Sequence, residues 1–289
     1  MIKNTLFTCL FSFTVFFAGA QDQPVKLAME QGQVFNVEVT VKNSITQQAM
    51  GQAIDFTLDG KALHNYKVTN ASEDFFTLHH EAQKISFLFN GMGSKKSFDS
   101  DNKKDISGQW GEPVRKILSK KYDVVIDPAG TVMKVDPESF PAEQTDERLV
   151  IVMNMLRDLT SVSEPPAKGE ASFFKVLPDK TPVVGDTWKT QTSNESGAST
   201  TNYKIESIAD STITVSFQTN GKSVLKATLM GMESSTTLNS VTTGTIIINR
   251  QTGIIREKQS EMVSTGTAEM MGNTTPVNAK TSVKMTVGN

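Results

Sequence analysis

Cys9 is the only cysteine in 289 residues. One thiol makes no internal disulfide and no paired thiolate site for a metal or redox couple. Histidine is almost as sparse, with only His64, His79 and His80. A surplus of one charge is missing too: 29 Lys and Arg against 31 Asp and Glu leave a net charge of −2. A chain this near neutral has no field that seeks nucleic acid or an anionic membrane surface. There is no Gly-x-Ser-x-Gly elbow and no glycine loop opening a helix, since no helical pattern follows Gly91-Met92-Gly93. Carboxylates such as Asp136 and Glu138 sit in loop sequence with no hint of a pocket. These absences lean against an enzyme and name no catalytic residue and no cofactor.

The first 20 residues carry the most specific signal. Lys3 supplies a positive start, Leu6–Phe17 an apolar stretch of 12 residues, and Ala18-Gly19-Ala20 a small-x-small cleavage pattern before Gln21. This reads as a secretory signal peptide, with cleavage between Ala20 and Gln21 and a secreted or periplasmic mature chain. Twelve apolar residues are too few for a membrane span, which needs about 20. Cys9, in Leu6-Phe7-Thr8-Cys9, is followed by more apolar residues, which argues against a lipidated cysteine there. Cleavage would remove Lys3 and Cys9 and leave a net charge of −3. No later apolar run approaches membrane length, so no transmembrane span is expected in the mature chain.

The dominant period downstream is two. Phe35, Val37, Val39 and Val41 alternate with polar residues, as do Ile213, Val215 and Phe217, and Val277, Ala279, Thr281, Val283, Met285 and Val287. Alternation puts apolar side chains on one face of a strand, which favours antiparallel sheet with one buried face. Shorter candidate strands include Gln52–Leu58, Leu63–Thr69, Asn202–Ile208, Thr245–Asn249 and Ile254–Lys258. Asp59-Gly60, Asn90-Gly91 and Asn220-Gly221 are placed as tight hairpin turns between or beside these runs. Two helices interrupt the pattern. Leu149, Val152, Met153, Leu156 and Leu159 fall at helical spacing over Thr145–Leu159, with Thr145 as N-cap; a shorter helix covers Pro113–Lys120.

The predicted organisation is a leader at 1–20, a first β-rich half at 21–140, a helix and linker at 141–166, and a second β-rich half at 167–289. The fold class is mainly β: two similar curved antiparallel sheets or open barrels, one central helix and a short second one. Three matches recur in the same order. Gly32-Gln33-Val34-Phe35 pairs with Gly185-Asp186-Thr187-Trp188, and Asn65-Tyr66-Lys67-Val68 with Asn202-Tyr203-Lys204-Ile205. Val124–Asp127 with Gly130 pairs with Ile246–Asn249 with Gly253. The shared order suggests an internal duplication.

Candidate sites are few. His79 and His80 are adjacent on a strand and point to opposite faces, so they cannot join in one regular metal site. His64 lies a hairpin away and can approach one of them; a two-His site with Asp74 or Glu81 is weaker than ordinary surface or half-buried imidazoles. Asp99, Asp101 and Asp105 space oxygen ligands along a loop, as a hard cation needs, but the loop lacks the central glycine and final acid of the helix-loop-helix calcium motif. A solvated turn balanced by Lys95, Lys96, Lys103 and Lys104 is the better reading. Met153, Met155, Met230 and Met232 are the candidate apolar lining of a cavity between sheet and helix, with core filling as the simpler reading.

The Leu177-Pro178-Asp179-Lys180-Thr181-Pro182-Val183-Val184-Gly185-Asp186-Thr187-Trp188 stretch is the most distinctive of the mature chain. Together with Gly32, Phe98-Asp99-Ser100, Asp127 to Gly130, and Gly244-Thr245-Ile246 to Gly253-Ile254-Ile255, it resembles secreted bacterial proteins classed as a domain of unknown function. The resemblance implies an exported, two-part, β-rich envelope protein and no established activity. The function expected on all these grounds is non-catalytic binding or an envelope structural role, with an apolar small molecule or an envelope protein as partner. A hydrolase or metal-dependent enzyme acting on envelope polymers, and a partner of an outer-membrane or secretion assembly, are the alternatives.

Overall fold

The computed structural model describes residues 24–49, 52–91, 93–141, 149–194, 196–229, 232–270 and 272–288. The expected leader and cleavage site, Cys9, Thr145 and Met230 lie outside them. The chain is mainly β and antiparallel. Its strands are β1 (Val34–Ala49), β2 (Gln52–Ala71), β3 (Phe76–Gly91), β4 (Ser94–Asp99), β5 (Lys121–Ile126), β6 (Val132–Asp136), β7 (Thr187–Asn194), β8 (Gly197–Ile208), β9 (Thr212–Leu229), β10 (Met232–Asn249), β11 (Ile255–Met270) and β12 (Asn273–Gly288). They form one sheet in the order β6-β5-β3-β2-β1-β12-β11-β10-β9-β8-β7, with β4 pairing on β3. The two halves therefore share a sheet, joined where β1 pairs with β12, Val37 opposite Val287 and Val41 opposite Val283.

Three helices interrupt the strands: α1 (Lys103–Ser107), α2 (Gly111–Ser119) and α3 (Val150–Thr160), the last running into a 3₁₀ turn at Ser161–Ser163. Helix α3 is the central helix of the sequence reading. Its buried Val152, Met155, Leu156 and Leu159 pack against β1 and β2.

Two of the expected turns are strand interior. Asp59-Gly60 lies within β2 and Asn220-Gly221 within β9. The glycine at 60 serves close approach: a Cβ there would stand 2.4 Å from Leu159 Cδ1. Gly221 sits beneath the Ser240 side chain, with Oγ 3.0 Å from where its Cβ would be. Glycine within a strand can mark either a bend or a neighbour that comes close, and local sequence does not separate the two. Asn90-Gly91 does stand at a strand end, closing β3.

The three sequence matches coincide with matched geometry. Gly32 N–H donates to Val68 O and Val68 N–H to Gln33 O, both at 2.8 Å. Gly185 N–H donates to Ile205 O at 2.8 Å and Ile205 N–H to Asp186 O at 2.9 Å. Gly32 and Gly185 have φ of 87° and 91°, a region open to glycine. The β2–β3 pair shifts register between Val68 and Asn70, and the β8–β9 pair between Ile205 and Ser207. The β5–β6 and β10–β11 pairs shift after Val125 and Ile247. The turns that follow, at Asp127–Gly130 and Asn249–Gly253, each end on a glycine of positive φ. Residues 26–28 run between these two turns: Leu27 N–H donates to Pro128 O and Ala28 N–H to Thr252 O.

Two cores result. The larger gathers β1–β6, the helices and the Phe174 segment; the smaller is built on Ile205, Ile213, Val215, Ile246, Ile248 and Ile255.

Candidate functional site

Each half lays a row of side chains across its inner face, and register fixes the members. In the first half the row is Phe35, Tyr66, His80 and Tyr122, on β1, β2, β3 and β5. In the second half the corresponding row is Trp188, Tyr203, Phe217 and Gly244, on β7 to β10. The rows differ in what covers them.

The first row is covered by the chain itself. Phe174 packs on Phe35 and on Tyr66, with ring centroids 5.3 Å apart in each case, and Phe173 stacks on Tyr66 at 5.5 Å. Val162 O can only accept, so Tyr122 donates to it at 3.1 Å, and Tyr66 in turn donates to the Tyr122 oxygen at 2.9 Å. His64 joins from the neighbouring position. Leu159 O accepts from His64 Nε2 at 2.9 Å, so His64 Nδ1 is bare and accepts from His80 Nε2 at 3.3 Å. His80 Nδ1 is then an unprotonated, buried nitrogen without a partner among the described residues. Burial, then the neighbouring His64, pushes the His80 pKa down to about 3; burial lowers that of His64 as well. Burial and hydrogen bonding to Tyr122 push Tyr66 up, and burial takes Tyr122 to about 12. The cluster is thus neutral, and its work is to bind the α3 C-terminus and the 3₁₀ turn to the sheet through two carbonyls.

In the second row Trp188 and Tyr203 are half-buried and Phe217 is buried. Trp188 and Tyr203 stack nearly parallel, 5.0 Å apart with an interplanar angle of 7°, and Tyr203 leans on Phe217 at 6.1 Å. A groove of about 640 Å³ runs over Trp188, Tyr203, Phe217 and Gly244. Between the rows, at the seam, lies a partly open cavity of about 360 Å³. Tyr66 and Tyr203 line it from equivalent positions, as do Val124 and Ile246, with Tyr122, Phe173, Phe174, Ile255 and Met285. All three tyrosines of the chain therefore face this one space. Tyr203 belongs to both cavity and groove. Walls of mixed apolar and polar groups and a volume of several hundred Å³ suit a small amphipathic ligand.

Three charged side chains reach the cavity. Glu164 pairs with Lys120 at 2.6 Å, and Lys175 with Asp179 at 3.1 Å. Lys258, on β11, has no ion pair among the described residues; its ammonium lies over the Phe217 ring, 5.2 Å from the centroid. Burial lowers its pKa, and the more distant Asp158 pulls it the other way.

The residues singled out in the sequence fall elsewhere. His79 is half-buried and bonds Asp123 at 2.6 Å on the outer face, while His80 is buried on the inner one. Glu81 pairs with Lys121, not with a histidine. Asp99 accepts from Asp101 N–H and Asp105 from Asp99 N–H, with Lys84 bridging Asp99 and Asp101 at 3.1 and 2.5 Å. These carboxylates are used in shaping the loop before α1, and among the described residues no group of three His, Cys, Asp or Glu side chains is gathered to hold a metal. Met153 and Met155 pack α3 into the core, Met232 opens β10, and the methionine at the cavity is Met285. Tyr66 and Tyr203 carry a sequence signal in the repeated Asn-Tyr-Lys at 65–67 and 202–204; Tyr122 and Lys258 carry none.

Residues 166–255 match the model of a family of unknown function (DUF6263). That span contains the Leu177–Trp188 stretch, the second row and the start of β11. No curated protein matches. Among solved structures, a lipovitellin structure on lipid–protein interactions covers 91% of this chain at 12% identity and a TM-score of 0.46. The chain spans 26% of the lipovitellin chain it matches. DynF from the dynemicin pathway of Micromonospora chersina covers 93% of this chain and 86% of its own, at 7% identity and a TM-score of 0.24. An outer membrane channel from Pseudomonas putida F1 covers 91% and 97%, at 8% and 0.20. Likeness at this level does not extend to function. Among the described residues no helix is long and apolar enough to cross a membrane.

Proposed function

We propose that this protein is a non-catalytic carrier of an apolar ligand, held in the seam cavity and extending over the second row. The observation that carries this reading is the contrast between the two rows. In the first half, Phe173 and Phe174 cover the aromatic row. In the second half the equivalent Trp188 and Tyr203 are only half-buried beside the seam cavity, and Phe217 is buried with the Lys258 ammonium over its ring. A ligand there takes the place that Phe173 and Phe174 take in the first half. The hydrogen-bonding capacity of the histidine and tyrosine cluster is directed at structural carbonyls, which supports binding over catalysis.

Matched turns, bulges and glycines support an origin of the two halves by duplication, with a site evolving where the second copy lost its cover. The leader at 1–20 supports export to the periplasm or beyond, where such a carrier would meet envelope lipids.

Extraction of the purified chain with organic solvent, followed by mass spectrometry, tests the proposal. An apolar molecule is expected in amounts that scale with protein, and Met285→Trp, which fills the cavity, is expected to reduce it severalfold. Lipid-free protein that also fails to take up a fluorescent fatty acid contradicts the carrier reading.

A further inference from the structure

We infer that Lys258 is the headgroup anchor of this cavity and that the ligand is an amphipath ending in a carboxylate, such as a long-chain fatty acid. This rests on the carrier reading above and adds the chemical class of the ligand.

The repeat shows that the fold does not need a lysine here. Matching the register shift after Val125 with that after Ile247 aligns Val135, which faces Val124, with Lys258, which faces Ile246. Val135 is buried in the first core. The second half thus carries an ammonium where the first carries an isopropyl group, and it is placed at the wall of the seam cavity beside Ile246, Ile255 and Met285. Desolvating a charge without a close partner is unfavourable. Lys258 makes no ion pair among the described residues, and its contact with the Phe217 ring is only partial compensation. Glu164 and Lys175, the other charges of the cavity, already have partners. Asp158 acts on Lys258 from a longer distance, and burial raises its own pKa, which weakens it further as a counterion.

The donors left over select the headgroup. Tyr122 has spent its hydroxyl hydrogen on Val162 O, and Tyr66 its own on the Tyr122 oxygen. Tyr203, which lines the cavity and leans on Phe217, makes no hydrogen bond among the described residues. One ammonium and one neutral hydroxyl match the single charge and two oxygens of a carboxylate. A phosphate, with more charge and more oxygens, would lack donors.

Binding of dodecanoic acid and of its methyl ester to the full chain, measured in parallel by calorimetry, decides this. The acid is expected to bind about tenfold more tightly than the ester. Lys258→Met is expected to abolish that preference by weakening the acid while leaving the ester unchanged, and Lys258→Arg to keep it. Equal affinities in the native protein, or equal losses for both ligands in Lys258→Met, overturn the assignment of the headgroup and leave the carrier reading standing. Binding of neither ligand to the native protein removes both. Retained ester binding shows that Lys258→Met folds.

Discussion

His80 shows how a residue can be conspicuous in sequence and inert in chemistry. Adjacent histidines suggested a site, and alternation told correctly that they face opposite ways. That His80 meets His64 could be foreseen only as a possibility, because it needs the β2–β3 register. A tyrosine in an alternating strand reads as core. The buried pair makes a prediction. With a folded pKa of about 3 for His80 against an unfolded value of about 6.5, the unfolded chain takes up the proton first. Its stabilising contribution is therefore complete above about pH 6.5 and is lost as pH falls, at up to about 1.4 kcal/mol per unit. Urea denaturation should show a loss of about 2 kcal/mol between pH 7 and 5, with His64 acting in the same direction. His80→Phe, which copies Phe217 of the other half, should flatten that profile. An unchanged slope would mean that the proton uptake occurs elsewhere.

At the scale of elements, strand existence was legible and strand length was not. Alternation in Phe35–Val41 and Val277–Val287 marked β1 and β12. The same strands extend through Ser, Thr and Gln that carry no apolar signal, held by cross-strand hydrogen bonds to equally polar neighbours such as Thr46 opposite Asn278. Gly60 misled for the same reason: it reads as a turn, yet it makes room for α3. Gly60→Ala is expected to destabilise the fold by about 1–3 kcal/mol through the clash with Leu159. Leu159→Ala should cost about 2–5 kcal/mol by leaving a cavity. The double variant should cost less than the two together by about 1 kcal/mol or more, because the clash and the cavity relieve one another. Strict additivity in a double-mutant cycle would show that the helix does not rest on that glycine.

For the whole molecule, the repeated motifs suggest two halves, while the single sheet depends on β1 and β12 meeting across some 240 residues, which no local pattern reveals. The union has a thermodynamic consequence. Leu27, buried between the turns at Gly130 and Gly253, ties both halves to one segment, and Val287 packs against both cores. Calorimetry should therefore record one unfolding transition, and Leu27→Ala should lower its midpoint without splitting it. Two resolved transitions would indicate independent halves. The same seam that couples the halves encloses the cavity, so the central claim concerns what occupies it. Trp188 lies in the adjoining groove, stacked on the cavity residue Tyr203, and Trp110, the other tryptophan, packs on Phe87 and Phe89 in the first core. In a Trp110→Phe variant, titration with a bromine-labelled long-chain fatty acid reads the site directly through Trp188 fluorescence. Saturable quenching at one equivalent, reversed by unlabelled acid, is the predicted result. Quenching that rises linearly without saturation, or none at all, would contradict the carrier account.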